Sequence, residues 1–197
     1  MKINIILSGV GGQGILTIAA VLDTAALDQD LFVKQSEIHG MSQRGGAVNS
    51  HVRISDKEIY SDIIPTGAAE IILSVEPMEL LRQLPFLKKD GWLITDSKTF
   101  ENILDYPKKD NLYKQIKSHP NHLIINATDE AKKIGNSKVA NMILLGAAST
   151  LIPLPEESLL NAIKKLFKNK SEKILQLNVE AFEKGKELAK KFKEFAY

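Results

Sequence analysis

The stretch LSGVGGQG at residues 7–14 puts four glycines into six positions directly after the short apolar run INIILS at residues 3–8, and this limits the fold more than any other part of the chain. Glycine weakens the interior of strands and helices alike, so such a cluster marks a turn whose backbone takes conformations that other residues avoid. The β-branched run before it reads as a buried strand, and ILTIAAVLDTAALD at residues 15–28 reads as a helix. A glycine turn between a strand and a helix exposes the first amides of the helix, where the dipole favours an anion. Gly9, Gly11 and Gly14 match G-x-G-x-x-G, with Gly12 and Gln13 completing the loop. Three readings stay open: an anion-binding loop, the dinucleotide site of a nicotinamide enzyme, and a tight turn that packs helix on strand without any ligand. The dinucleotide reading needs an acidic residue at the end of the next strand. Asp28 and Asp30 come before LFVKQ and Glu37 after it, which fits that requirement poorly.

Further strands are expected at AVNSHVRIS (residues 47–55) and KEIYSDII (57–64), joined by a turn at Asp56-Lys57, and at EIILSV, GWLITD and HLIINA. PMELLRQLPFLKKDG reads as a helix that opens on Pro77 and closes on Gly91, and NSKVANMILLGAASTLI and the chain from Pro155 onward also read as helical. The alternation predicts an α/β fold: a Rossmann-like, mostly parallel mixed sheet with helices on its faces and one antiparallel hairpin within residues 47–64. Residues 1–197 are read as one domain, with 150–197 as its helical C-terminal part; a 197-residue chain with 44% apolar residues can bury one sizeable core.

Charge excludes rather than assigns. The 26 basic and 24 acidic residues leave a formal charge of +2, which argues against nucleic acid as a partner. Residues 164–197 hold ten lysines against five glutamates, but Phe182, Leu188, Ala189, Phe192 and Phe195 recur at helical spacing, so the lysines read as a solvated helix face. No cysteine is present, so this chain provides neither a disulfide nor a thiolate-bound zinc or iron-sulfur site. The N-terminus lacks the pattern of a secretory signal and no apolar run reaches the ~18 residues of a membrane span, which together predict a cytoplasmic protein with no membrane contact.

A second unusual stretch, SEIHGMSQRGG at residues 36–46, mixes Glu37, His39, Ser42, Gln43 and Arg44 with Gly40, Gly45 and Gly46 just before a strand. Such a loop can grip a phosphate, a carboxylate or the backbone of a partner, and the Arg44 guanidinium is suited to all three. The plainer reading makes Arg44 a surface residue and His39 a satisfied loop histidine. On the following strand His51 and Arg53 alternate with Val52 and Ile54, and are expected to point away from the core, toward water or a partner. Asn136 and Asn141 flank the start of KVANMILLGA, where a cap on orphan amides is favoured over contact with a ligand.

GVGGQGI, SEIHGMSQRGGAVNSHVRI and GNSKVANMILLGA, in this order and spacing, resemble the γ-type chains of 2-oxoacid:ferredoxin oxidoreductases, in particular those of the indolepyruvate enzymes. Weaker likeness extends along nearly the whole chain, including LNVEAFEKG near its end. The resemblance implies a small subunit, without catalytic residues or metal of its own, that supports thiamine-dependent oxidative decarboxylation of a 2-oxo acid to an acyl-CoA with electrons passed to ferredoxin. It implies that thiamine diphosphate, magnesium and the iron-sulfur clusters sit on a larger partner subunit, through which ferredoxin is reached. Coenzyme A is then the co-substrate, and Gly9, Gly11, Gly12, Gln13 and Gly14 a candidate loop for its phosphates. Glu37, His39, Ser42, Gln43, Arg44, Gly45 and Gly46 become an interface or ligand loop. The γ subunit of a pyruvate, 2-oxoglutarate or branched-chain 2-oxoacid enzyme and a stand-alone nucleotide- or coenzyme A-binding module are the alternatives.

Overall fold

The structure is a computed structural model that describes residues 1–40 and 45–195. Among these, strands β1 (Lys2–Val10), β2 (Phe32–His39), β3 (Ala47–Ser55), β4 (Ala69–Ser74), β5 (Leu87–Asp96) and β6 (His122–Ile125) form one sheet in the order β2-β3-β1-β4-β5-β6. β1, β4, β5 and β6 run parallel to one another, whereas β3 is antiparallel to β1 and β2 antiparallel to β3. The helices are α1 (Ile15–Leu27), α2 (Pro77–Arg82), α3 (Lys109–Lys117), α4 (Ala127–Ile134), α5 (Ala140–Ser149), α6 (Glu156–Phe167) and α7 (Glu172–Phe195).

Side chains alternate between the faces of the sheet, and both faces are covered. Ile5 and Leu7 of β1, Val52 and Ile54 of β3 and Leu73 of β4 pack with residues of α1, α4, α5, α6 and α7. On the other face Ile6, Ile72 and Leu93 pack under Leu80 of α2 and Ile116 of α3. Phe182 and Ala189 of α7 are buried, in line with their helical spacing.

The expected hairpin is displaced. β3 pairs with β2 before it, and residues 57–64 form no strand. That segment lies across the sheet, with Ile59 and Ile64 buried and its backbone tied to β3 side chains. Ile64 N donates to His51 Nδ1 (3.0 Å), and Arg53 Nη1 donates to Ser61 O (2.7 Å) and Ile63 O (3.2 Å). His51 therefore does not look outward, being buried with its ring edge-on to Phe86, whereas Arg53 is half-buried under this segment and its Nε also donates to Asn4 Oδ1 at 3.0 Å.

The helix that opens on Pro77 is shorter than its periodicity implies. It stops at Arg82, a 3-10 turn follows over Leu84–Phe86, and β5 begins at Leu87. Pro85 has no N–H to continue a helical ladder. Residues 87–91, read from sequence as the end of a helix, therefore start the strand beside β4.

Candidate functional site

The carboxyl ends of β1, β4 and β5 open on one edge of the sheet, where the glycine loop leaves β1 and turns into α1. Two of its glycines are explained by packing. A Cβ on Gly9 would lie 2.3 Å from Val75 Cγ2. Gly14, the N-cap of α1 at φ 80°, would place a Cβ 2.4 Å from Asn141 Nδ2, which donates to Gly14 O at 3.0 Å. Gln13 closes the turn by accepting from Val10 N through Oε1 at 2.7 Å. Gly12 differs: at φ 98° it has nothing among the described residues within 4 Å of where a Cβ would stand. Among the described residues no side chain caps α1, so its first amides lack the partner that a capping residue supplies elsewhere.

The second stretch meets the first. Gly11 N donates to Gly46 O at 2.9 Å, so one loop braces the other. Glu37 and His39, at the end of β2, line a cleft of about 420 Å³ together with Val10, Gly11, Gly12, Gly14 and Leu16. His39 Nδ1 lies 3.1 Å from Gly40 O. Gly45 O accepts from Asn102 Nδ2 at 2.7 Å. Ser42, Gln43 and Arg44 lie outside the described residues.

On the other side of the glycine loop a cleft of about 640 Å³ runs between Gly12–Gly14, Asp96–Phe100, Thr128 and residues 136–141, with Phe167 and Ile174 on its far wall. Asn136 accepts from Lys138 N at 3.0 Å and caps a 3-10 turn over Ser137–Val139, as expected of a cap. Asn141 acts differently. It sits inside α5, accepts from Met142 N at 2.9 Å and holds Gly14 O, joining two segments distant in sequence at the site. Lys98 and Lys138 are exposed cations on the lining of this cleft.

Sequence reasoning missed the acidic groups. Asp96 ends β5 and is 2% exposed; burial raises the pKa of its carboxyl, against the lowering effect of hydrogen bonds donated by Thr128 Oγ1, by Lys98 N (3.2 Å) and by Thr128 N (3.0 Å). Glu76, fully buried, caps α2 by accepting from Glu79 N through Oε2 at 2.8 Å. Its Oε1 accepts from the Tyr106 hydroxyl, whose pKa is pushed up first by burial and then by this carboxylate. Asp96 could have been found as an acidic residue closing a strand at the carboxyl edge, and Glu76 as the residue before Pro77, but neither position reveals what would bury it.

The topology removes the nicotinamide reading. A dinucleotide unit pairs the strand after the first helix directly, in parallel, with the strand before it. Here the strand after α1 is β2, at the sheet edge, and antiparallel β3 lies between it and β1.

Comparison with known proteins agrees with this arrangement. The indolepyruvate oxidoreductase subunits IorB of Thermococcus kodakarensis and Methanothermobacter thermautotrophicus are similar at 36% identity, over 95% of this chain and 96% of theirs, and at 34%, over 94% and 96%. Among solved structures, the gamma subunit of a keto/oxoacid ferredoxin oxidoreductase from Geobacter sulfurreducens superposes with a TM-score of 0.70 at 27% identity, covering 96% of this chain and 99% of that one. A 2-oxoglutarate:ferredoxin oxidoreductase chain from Magnetococcus marinus, solved with 2-oxoglutarate, coenzyme A and succinyl-CoA, shares the fold with a TM-score of 0.77 at 23% identity; the match covers 96% of this chain but 31% of that longer one. The pyruvate ferredoxin/flavodoxin oxidoreductase family matches residues 4–188, and with so much of its length accounted for, the chain belongs to that family.

Proposed function

We propose that this chain is the small subunit of an arylpyruvate (indolepyruvate) ferredoxin oxidoreductase, assembled with a larger subunit that bears the catalytic cofactors. The observation that carries this reading is the match, over nearly the full length of both chains, to IorB subunits at 34–36% identity. The residues of this chain do not fit an iron-sulfur cluster: it has no cysteine, and the described residues gather no group of histidines and carboxylates that could hold a metal. Thiamine diphosphate, magnesium and the clusters belong on the partner in this reading.

What this chain contributes is a seat for the acyl acceptor. Among the described residues Gly12 opens onto free space beside the uncapped start of α1, an arrangement suited to a phosphate of coenzyme A. Lys98 and Lys138 bring opposite charge to the same cleft, and Phe100, Phe167 and Ile174 supply apolar surface for a purine.

The test is to co-express the chain with the large subunit encoded in the same genome and to follow ferredoxin reduction with indolepyruvate, pyruvate, 2-oxoglutarate and 3-methyl-2-oxobutanoate. Indolepyruvate should give the highest kcat/KM, the reaction should require coenzyme A, and this chain alone should be colourless and inactive. A complex that prefers 2-oxoglutarate or pyruvate would transfer the chain to another branch of the family.

A further inference from the structure

Residues 97–107 leave β5 as an irregular loop that exposes Phe100, Ile103 and Leu104 among the charged Lys98, Glu101 and Asp105. Phe100 and Ile103 are 45% and 44% exposed, and Leu104 is fully exposed. Single exposed apolar residues are ordinary on any surface, but three within five positions make a patch.

The loop is also firmly held. The Tyr106 hydroxyl donates to the buried Glu76 carboxylate, and Phe100 N reaches the same oxygen at 3.4 Å. Lys98 N donates to Asp96 Oδ1 at 3.2 Å, the Tyr113 hydroxyl donates to Ser97 O, and Asn102 Nδ2 ties the middle of the loop to Gly45 O at 2.7 Å. A loop fixed in this way gives up little conformational entropy when another surface covers it.

We infer that the 97–107 loop is the element by which this subunit seats on the larger chain of its complex, with Ile103 and Leu104 entering an apolar recess of that chain. The inference rests on the subunit reading, and two observations select the occupant. The same fold forms 31% of a single longer chain in the Magnetococcus marinus enzyme, where it is permanently joined to the rest. Permanent interfaces are more apolar than transient ones, which is the character of this patch. The patch is also contiguous with the candidate site: Phe100 lines the cleft that contains Gly12, and Asn102 holds Gly45, whose neighbour Gly46 braces the glycine loop. A chain seated on the loop would therefore border the place proposed for the acyl acceptor, where an acyl donor from the partner has to arrive.

The test compares assembly of the wild-type chain, the double variant Ile103→Asp/Leu104→Asp, the conservative Leu104→Met and the control Leu27→Gln with the co-encoded large subunit, by co-purification and by titration for Kd. Leu27 is 60% exposed at the far end of α1, away from the loop. The double variant should keep the wild-type circular dichroism and melting temperature, because both side chains are exposed, yet bind about tenfold or more weakly, the effect of losing an interface anchor. Leu104→Met and Leu27→Gln should bind as wild type does. Equal affinity of the double variant and the wild type overturns the docking surface alone. A wild-type chain that forms no complex overturns both this surface and the subunit reading. A wild-type homodimer that the double variant dissolves, seen by sedimentation, assigns the patch to a second copy and overturns the choice of occupant.

Discussion

Gly146 of α5 and Gly185 of α7 let two helices cross backbone to backbone. A Cβ on Gly146 would lie 1.9 Å from Phe182 O, and one on Gly185 would lie 1.8 Å from Ile143 O. Each glycine thus faces the carbonyl three residues before the other. Alanine raises helix propensity by about 1 kcal/mol over glycine, but here its methyl would have to push the helices apart, and overpacking of this kind costs about 1–3 kcal/mol or more. Gly146→Ala and Gly185→Ala should therefore both lower Tm, by roughly 2–4 °C for each kcal/mol lost. Thermal melts of the two variants check this, and an unchanged or higher Tm would mean the crossing relaxes freely.

Gly12 and Gly14 should respond differently to the same change. Gly12→Ala adds a methyl in open space, at a strain cost of about 1–2 kcal/mol for the left-handed backbone. If a coenzyme A phosphate approaches there, the apparent KM for coenzyme A rises about tenfold or more, while decarboxylation of the 2-oxo acid is unaffected. Gly14→Ala drives a methyl into Asn141 and should destabilise the subunit generally. Steady-state kinetics of the assembled enzyme beside melts of the free subunit separate the two, and an unaltered coenzyme A dependence in Gly12→Ala would leave that glycine to the turn alone.

Two groups tie stability to pH with opposite sign. Burial lifts the carboxyl of Asp23 in α1 from 3.8 to about 6, and its Oδ1 has no hydrogen-bond partner among the described residues. The folded state holds that proton more tightly than the unfolded chain, so stability falls as pH rises from about 4 to 6 and stays lower above. Asp23→Asn should accordingly stabilise the protein by about 1–3 kcal/mol at pH 7.5 and by little at pH 4. For His51, burial lowers the pKa below 6.5, and its Nδ1 accepts from Ile64 N. There the unfolded chain binds the proton first, so stability is lost as pH falls below about 6.5. Urea unfolding of the wild type, Asp23→Asn and His51→Gln across pH 4–8 should show the first variant removing one limb and the second the other.

Removing the Tyr106 hydroxyl takes a donor from a fully buried carboxylate. Tyr106→Phe should cost about 1–3 kcal/mol, the penalty for leaving such a group short of a partner. The loss should be local as well as global: amide exchange in residues 97–107 should quicken before that of β1 or β4. Wild-type exchange in the loop would show that Phe100 N, Lys98 N and Asn102 hold it without the tyrosine.

The strand, glycine turn and helix at residues 2–27 were legible in the sequence, because glycine content and hydrophobic period are local properties that packing rarely reverses. The sequence also carried the three blocks that tie the chain to its family, and it placed Asn136 at a cap. Tertiary structure decided the rest. Residues 57–64 could not pair with β3 because β2 and β1 take both of its edges, a non-local choice of partners that alternation cannot encode. Alternation put His51 and Arg53 on one face of β3 correctly, but a period of two separates faces without saying which is covered, and in this fold both are. Glu76, Asp96 and Asn141 became part of the site only when chain segments distant in sequence brought Tyr106, Thr128 and the Gly14 carbonyl to them. A polar side chain shows its type in the sequence, but burial with a specific partner is a property of the assembled fold.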